Sequence, residues 1–327
     1  MKAAEAHEIT RGDGVTVALM DSGVDADHPD LADAVLRGTD VLDSGDDGRS
    51  DVNGHGTAMA GVIAGRGHGR GHQNGILGIA PGAKILPVRI TGDAQASGTE
   101  VADALAFARA HGARVANMSF GGADDSTVHD AIKAALADDM VLVASSGNRD
   151  EAGGQYPGRY PEVLTVGAVD RAGKIADLSV TGPQVDLVAP GVDIATTGIT
   201  DSGYYQSSGT SHAAAVVSGA AALVRAKFPD LSAAEVVHRL TATATDAGAP
   251  GRDDTYGYGR LNLVKALTAD VPPLADAPAS ARADAPVGVA PRKPVKRVSP
   301  LVFAGGAAVV VLLIGGLLVG LMLRRRR

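Results

Sequence analysis

Short runs of β-branched and apolar residues recur along this chain with helix-like stretches between them, and this alternation constrains the fold more than any other feature. The runs are residues 15–20 (Val15-Thr16-Val17-Ala18-Leu19-Met20, closing on Asp21), 84–90, 114–118, 140–144 and 163–169. Each is continuous and not alternating, the pattern of a parallel strand buried on both faces. Between them lie residues 55–64, 99–111 and 126–137, which read as helices; in the second, Val101, Ala104, Leu105 and Ala108 form one apolar stripe. Strands that alternate with helices specify an α/β domain, a mainly parallel β-sheet with helices on both faces. In such sheets the functional site gathers at the carboxyl ends of the strands.

The 327 residues, 45% of them hydrophobic, suffice for one large domain with a sizeable core. Cysteine is absent, so neither a disulfide framework nor a thiolate metal site is available. Eight of the 30 Lys and Arg residues lie beyond residue 291, whereas all 37 acidic residues precede them. The body is therefore strongly acidic, which excludes nucleic acid as a partner, since phosphate binding needs a basic face.

Composition divides the chain into residues 1–267, the folded domain; 268–299, an Ala/Pro-rich linker with a basic end; 300–323; and a short basic tail, 324–327. Residues 301–323 are uncharged and apolar and long enough to cross a bilayer, so a single C-terminal transmembrane helix is expected. Residues 1–8 are polar, without the apolar region of a signal peptide. A membrane-anchored domain facing away from the cytoplasm would need an upstream start that encodes one. The glycine-rich stretch 65–75 holds His68 and His72 but shows no further metal-ligand spacing, and reads as a flexible surface loop.

Asp21 closes the first apolar run, His55 opens a helical stretch in Gly54-His55-Gly56-Thr57, and Ser211 opens another in Gly209-Thr210-Ser211-His212-Ala213. A serine hydroxyl becomes a nucleophile when an imidazole takes its proton and a carboxylate holds that imidazole in one tautomer. Singly, Ser211 would read as a helix cap, Asp21 as a turn residue and His55 as a loop histidine. Together, in the order Asp, His, Ser and each at a strand end or helix start, they read as a catalytic triad.

The chain resembles the subtilisin-like serine proteases, the subtilases, over residues 12–267. The resemblance is carried by Asp21-Ser22-Gly23-Val24-Asp25, His28-Pro29-Asp30-Leu31, Asn53-Gly54-His55-Gly56-Thr57, Asn117-Met118-Ser119-Phe120-Gly121, Ser146-Gly147-Asn148, Tyr156-Pro157, Val188-Ala189-Pro190-Gly191 and Gly209-Thr210-Ser211. It implies a subtilisin-like fold and a serine endopeptidase acting through an acyl-enzyme. Ser211 would be the nucleophile, His55 the general base and then acid, and Asp21 the orienting carboxylate. Asn148 and the Ser211 backbone N–H would form the oxyanion hole. Ser119, Phe120 and Gly121 would pair with the backbone of an extended polypeptide substrate. Ala58 replaces a histidine and Ala215 a proline common in the family. No cofactor is expected, and calcium is left open: Asp30 matches one ligand, but residues 71–76 are shorter than the family's strong calcium loop.

The Cys-free body, linker, single span and short Arg tail are most similar to the mycosins, membrane-anchored subtilases associated with type VII secretion. That implies a cell-membrane protein with an extracytoplasmic catalytic domain, and partners in the lipid bilayer and the secretion machinery. A different class remains open: a non-catalytic subtilase-fold component that stabilises such a complex.

Overall fold

The computed structural model describes residues 1–43, 45–91, 96–149, 155–200 and 202–274. The strands in chain order are β1 (Thr16–Asp21), β2 (Thr39–Asp40), β3 (Arg66–His68), β4 (Asn74–Leu77), β5 (Lys84–Arg89), β6 (Val115–Met118), β7 (Val141–Ser145), β8 (Leu164–Val169), β9 (Leu187–Pro190), β10 (Ile194–Thr197) and β11 (Tyr204–Ser207). The helices are α1 (Ala3–His7), α2 (His55–Ala64), α3 (Gly98–Ala110), α4 (Ser126–Ala137), α5 (Thr210–Lys227), α6 (Ala233–Ala242) and α7 (Leu263–Thr268). Seven strands form one sheet in the order β2-β5-β1-β6-β7-β8-β9, every neighbouring pair parallel. This is the mainly parallel α/β architecture that the alternating pattern implies, and the subtilisin-like fold that the resemblance implies.

Side chains of each central strand alternate between two cores. Val17 and Leu19 of β1 and Val141 and Val143 of β7 face the core shared with α2, α5, α6 and α7. Ala18 and Met20, with Leu142 and Ala144, face the core shared with α3 and α4. Both faces being covered explains why these strands read as unbroken apolar runs. From β1 the sheet grows to one side through β5 and then to the other through β6, so the strand order reverses beside β1. At such a switch point the crevice outside the strand ends is the expected binding place. Asp21 and Ser119 lie there, at the end of β1 and just beyond β6.

The two helices that carry His55 and Ser211 are almost wholly enclosed. Nine of the ten residues of α2 and 15 of the 18 of α5 are buried. Neither has an amphipathic stripe, as befits a helix packed on all sides. Small residues permit this: α2 and α5 pack against each other, and a side chain at Gly61 would strike Thr197 of β10 at 2.2 Å.

Residues 65–75 correct the expectation of a flexible loop. They form the antiparallel hairpin β3–β4 around a single 3₁₀ turn at Arg70–His72. Its glycines serve the chain reversal, with Gly67, Gly69, Gly71 and Gly75 all at positive φ. The linker beyond Leu274 and the apolar segment 300–323 lie outside the described residues. Among the described residues no helix is long and apolar enough to cross a membrane.

Candidate active site

His55 is the first residue of α2, and its ring turns back onto the end of β1. Nδ1 lies 2.8 Å from Oδ1 and 2.9 Å from Oδ2 of Asp21. Asp21 is buried, while the His55 side chain is 38% exposed, so the pair has one end in the core and the other open to a substrate. Oδ1 of Asp21 also accepts the Ser22 backbone N–H at 2.8 Å. The approach depends on Gly56, where a Cβ would lie 1.9 Å from the Gly23 carbonyl oxygen and 3.2 Å from Asp21 Cβ. A carboxylate on Nδ1 holds the proton there, so the opposite ring nitrogen, Nε2, is the acceptor.

Asp51, which sequence reasoning missed, builds the start of α2. Its Oδ1 accepts from Ser22 Oγ at 2.8 Å and from the Gly54 backbone at 2.9 Å. Its Oδ2 accepts from the backbone and hydroxyl of Thr57 at 2.8 and 2.6 Å. The carboxylate thereby ties the helix that carries His55 to the residue after Asp21. The five residues between Asp51 and Thr57 conceal this in the sequence, because no standard capping spacing fits.

Ser211 stands in the first turn of α5, where backbone N–H groups have no carbonyl partner within the helix. Its Oγ rests 3.4 Å from the Ser119 carbonyl oxygen. Ser119 Oγ in turn lies 2.9 Å from Asn117 Oδ1 and 3.2 Å from the Ser211 carbonyl oxygen, while Asn117 Nδ2 donates to Ser218 Oγ at 2.9 Å. The segment Ser119-Phe120-Gly121 thus runs directly beside the serine. It continues into an antiparallel bridge between Gly122 and Tyr156, with Phe120 packed on the core of α3 and α4.

Asn148 follows β7 through Gly147, at φ 94°, and meets the head of α5 from the other side. Its Oδ1 accepts from the Thr210 backbone at 3.0 Å and the Thr210 hydroxyl at 3.1 Å. A backbone N–H can only donate, so the oxygen side of the amide is assigned and Nδ2 faces away from Thr210. A Cβ built on Gly209 would lie 3.6 Å from Asn148 Nδ2 and 3.9 Å from the Ser211 backbone nitrogen. Asn148 Nδ2 and the Ser211 backbone nitrogen therefore both lie within 4 Å of one point beside Gly209.

Asp30, the residue matched to a calcium ligand, is fully buried and already engaged by protein donors. His68 Nδ1 lies 2.6 Å from its Oδ1, and the Ile76 backbone N–H donates to its Oδ2 at 2.6 Å. The hydroxyl of Tyr204 lies 3.3 Å from His68 Nδ1 in the same cluster; burial, then Asp30, push that phenol up to about 12, so it remains a donor. A calcium ion requires six to eight oxygen ligands. An imidazole, an amide N–H and a phenol donor do not fit that requirement, and the described residues hold no cluster of three His, Cys, Asp or Glu side chains able to hold a metal.

Known proteins resemble this chain over most of its length. Residues 12–259 match the family model described as the subtilase family. Subtilisin DY of Bacillus licheniformis is 36% identical over 257 residues, covering 76% of this chain and 89% of its own. Among solved structures, MycP1 with its N-terminal propeptide removed superposes with a TM-score of 0.74 at 32% identity, over 83% of this chain and 96% of that one. MycP3 protease, from the type VII (ESX-3) secretion system, superposes at 0.72 with 34% identity, over 82% and 86%. The chain belongs to the subtilase family and is a serine-type endopeptidase, a hydrolase.

Proposed function

We propose that Ser211, His55 and Asp21 form the catalytic triad of this endopeptidase and that Asn148 with the Ser211 N–H forms its oxyanion hole. The observation that carries this reading is the His55 imidazole held through Nδ1 by both oxygens of a buried carboxylate. The Ser211 oxygen attacks the scissile carbonyl while Nε2 of His55 takes its proton. Asp21 stabilises the imidazolium without being protonated. The proton then passes to the leaving amine, and water, deprotonated by the same imidazole, releases the acyl group from Ser211. Ser119, Phe120 and Gly121 align an extended peptide beside Ser211 by strand addition.

Cellular placement belongs to the same proposal. The apolar segment 300–323 anchors the chain in the cell membrane, the catalytic domain lies outside the cytoplasm, and the protease acts on or beside a type VII secretion complex. Support comes from the apolarity and length of that segment and from the likeness to MycP1 and MycP3.

A fluorophosphonate probe should label the wild-type protein and not Ser211→Ala, and the same substitution should abolish hydrolysis of a casein-like substrate. Wild-type turnover by Ser211→Ala would overturn the site assignment. Absence of labelling in a folded wild type would leave a scaffold role. Protease shaving of intact cells should remove the catalytic domain; resistance until permeabilisation would overturn the placement.

A further inference from the structure

The residue after the nucleophile, His212, is a buried imidazole that the triad does not use. It is 4% exposed, and its Nδ1 is enclosed without a hydrogen-bond partner. Its other nitrogen, Nε2, lies 2.9 Å from Ser207 Oγ at the end of β11. A Ser207 hydroxyl that donates to Nε2 leaves the imidazole proton on Nδ1. Burial, followed by the nearby His55, lowers the His212 pKa to about 4, so the ring is neutral at neutral pH.

Nδ1 borders the space already described beside Gly209. The position a Cβ would take on Gly209 is 3.7 Å from His212 Nδ1, beside its 3.6 Å to Asn148 Nδ2 and 3.9 Å to the Ser211 nitrogen. An unpartnered N–H in a protein interior is unfavourable and calls for a functional account. Three nitrogens that converge on one point next to the nucleophile supply it.

We propose that the Nδ1–H of His212, fixed in that tautomer by Ser207, is a third dipole turned on the oxyanion pocket and lowers the barrier to acyl transfer. The inference rests on the triad reading above. No bond forms to His212 and no proton leaves it. As the Ser211 oxygen bonds to the carbonyl carbon and the carbonyl π electrons move onto oxygen, the Nδ1–H dipole stabilises the charge across the pocket wall. Because Nδ1 is enclosed and does not touch the oxygen, its effect is smaller than that of a bonded donor. An oriented neutral dipole also avoids the repulsion that a cation would exert on the His55 imidazolium formed in the same step.

The test compares wild type with His212→Met, His212→Gln and Ser207→Ala, at neutral pH, on a peptide nitroanilide. A fluorophosphonate titration counts competent sites and a thermal melt reports folding. His212→Met should lower kcat about 10-fold per titrated site with KM within about twofold, short of the ~10²- to 10³-fold of a bonded donor. Affinity for a peptide boronate, whose adduct with Ser211 is tetrahedral, should fall by the same factor, while a non-covalent product peptide binds unchanged. His212→Gln, which keeps an N–H donor, should recover part of the loss, and Ser207→Ala should lose about two- to fivefold by releasing the tautomer. Wild-type kcat in His212→Met would overturn the proposal, as would a loss of rate that leaves boronate affinity intact or disappears per titrated site. Failure of the triad reading would show separately, as a folded wild type that neither hydrolyses the substrate nor reacts with the probe, and would remove this inference with it.

Discussion

Both carboxylate oxygens of Asp21 lie within 2.9 Å of one ring nitrogen of His55, across 34 residues of sequence and at the junction of a buried strand with a buried helix. An acceptor-only partner at Nδ1 leaves the imidazole a single useful tautomer. Asp21→Asn replaces it by an amide that can donate instead, which favours the tautomer with its proton on Nε2. We expect kcat to fall about 10⁴-fold with the fold intact, the magnitude the same exchange has in other Ser-His-Asp enzymes. Initial rates on a peptide nitroanilide, beside a melting curve, check this.

The oxyanion space yields a second prediction. Asn148→Ala should lower kcat by roughly 10²- to 10³-fold with little change in KM, as loss of the side-chain donor does in subtilisin. Gly209→Ala should also impair turnover. Its φ of 170° is extended backbone open to any residue, and its new methyl would meet nothing closer than 3.6 Å, so the melting temperature should hold while the pocket narrows. A fully active Gly209→Ala would show that the substrate oxygen does not approach this side of the pocket.

The strand ends and helix starts are legible in the sequence because burial writes itself into composition. β1, β5, β6, β7 and β8 fall on the apolar runs within a residue or two, and α2 and α4 coincide with residues 55–64 and 126–137. β2 escapes notice at two residues long, and the β10–β11 hairpin, half-buried and rich in Thr, Tyr and Ser, lacks an apolar run. The partners of Asp51, and of His212, are not legible either. They depend on loops that bring residues together across space, and nothing in local spacing records that Ser207 turns its hydroxyl onto an imidazole. The glycines of residues 65–75 are ambiguous for the same reason, since a mobile loop and a tight hairpin both draw on positive φ.

Asp30 and His68 join the segment after β1 to the β3–β4 hairpin, and Tyr204 adds β11 to the same cluster. A Cβ at Gly75, whose φ is +82°, would lie 2.2 Å from Asp30 Oδ1, so the hairpin closes directly over the carboxylate. His68→Ala should destabilise the domain by about 2–3 kcal/mol in chemical denaturation, below the 3–5 of a fully buried pair because the ring is 37% exposed. With these donors in place, a chelator or added calcium should leave the melting temperature unchanged. A calcium-dependent rise of several degrees that His68→Ala does not alter would place an ion elsewhere; one that Asp30→Asn abolishes would overturn this account of the cluster.

His212 links stability to pH with a definite sign. Its ordinary value of 6.5 falls to about 4 in the fold, chiefly through burial and secondarily through His55. Above 6.5 the ring is neutral in the folded and unfolded chain alike and contributes no slope. As pH falls from 6.5 towards 4, the unfolded chain takes up a proton that the fold refuses, and stability declines; below about 4 both states hold it and the loss levels off. The gap corresponds to about 3 kcal/mol. The neighbour that adds to the shift is His55 on α2, while Tyr205 on β11, whose pKa burial raises, stays neutral throughout. Other groups titrate over the same range, so the informative quantity is the difference between wild type and His212→Met in denaturation free energy at several pH values. That difference should be constant above about pH 7 and should shift towards the variant by up to about 3 kcal/mol near pH 4. Parallel curves would mean that the imidazole is already solvated or charged in the fold, and would withdraw the neutral, enclosed His212 on which the third oxyanion dipole depends.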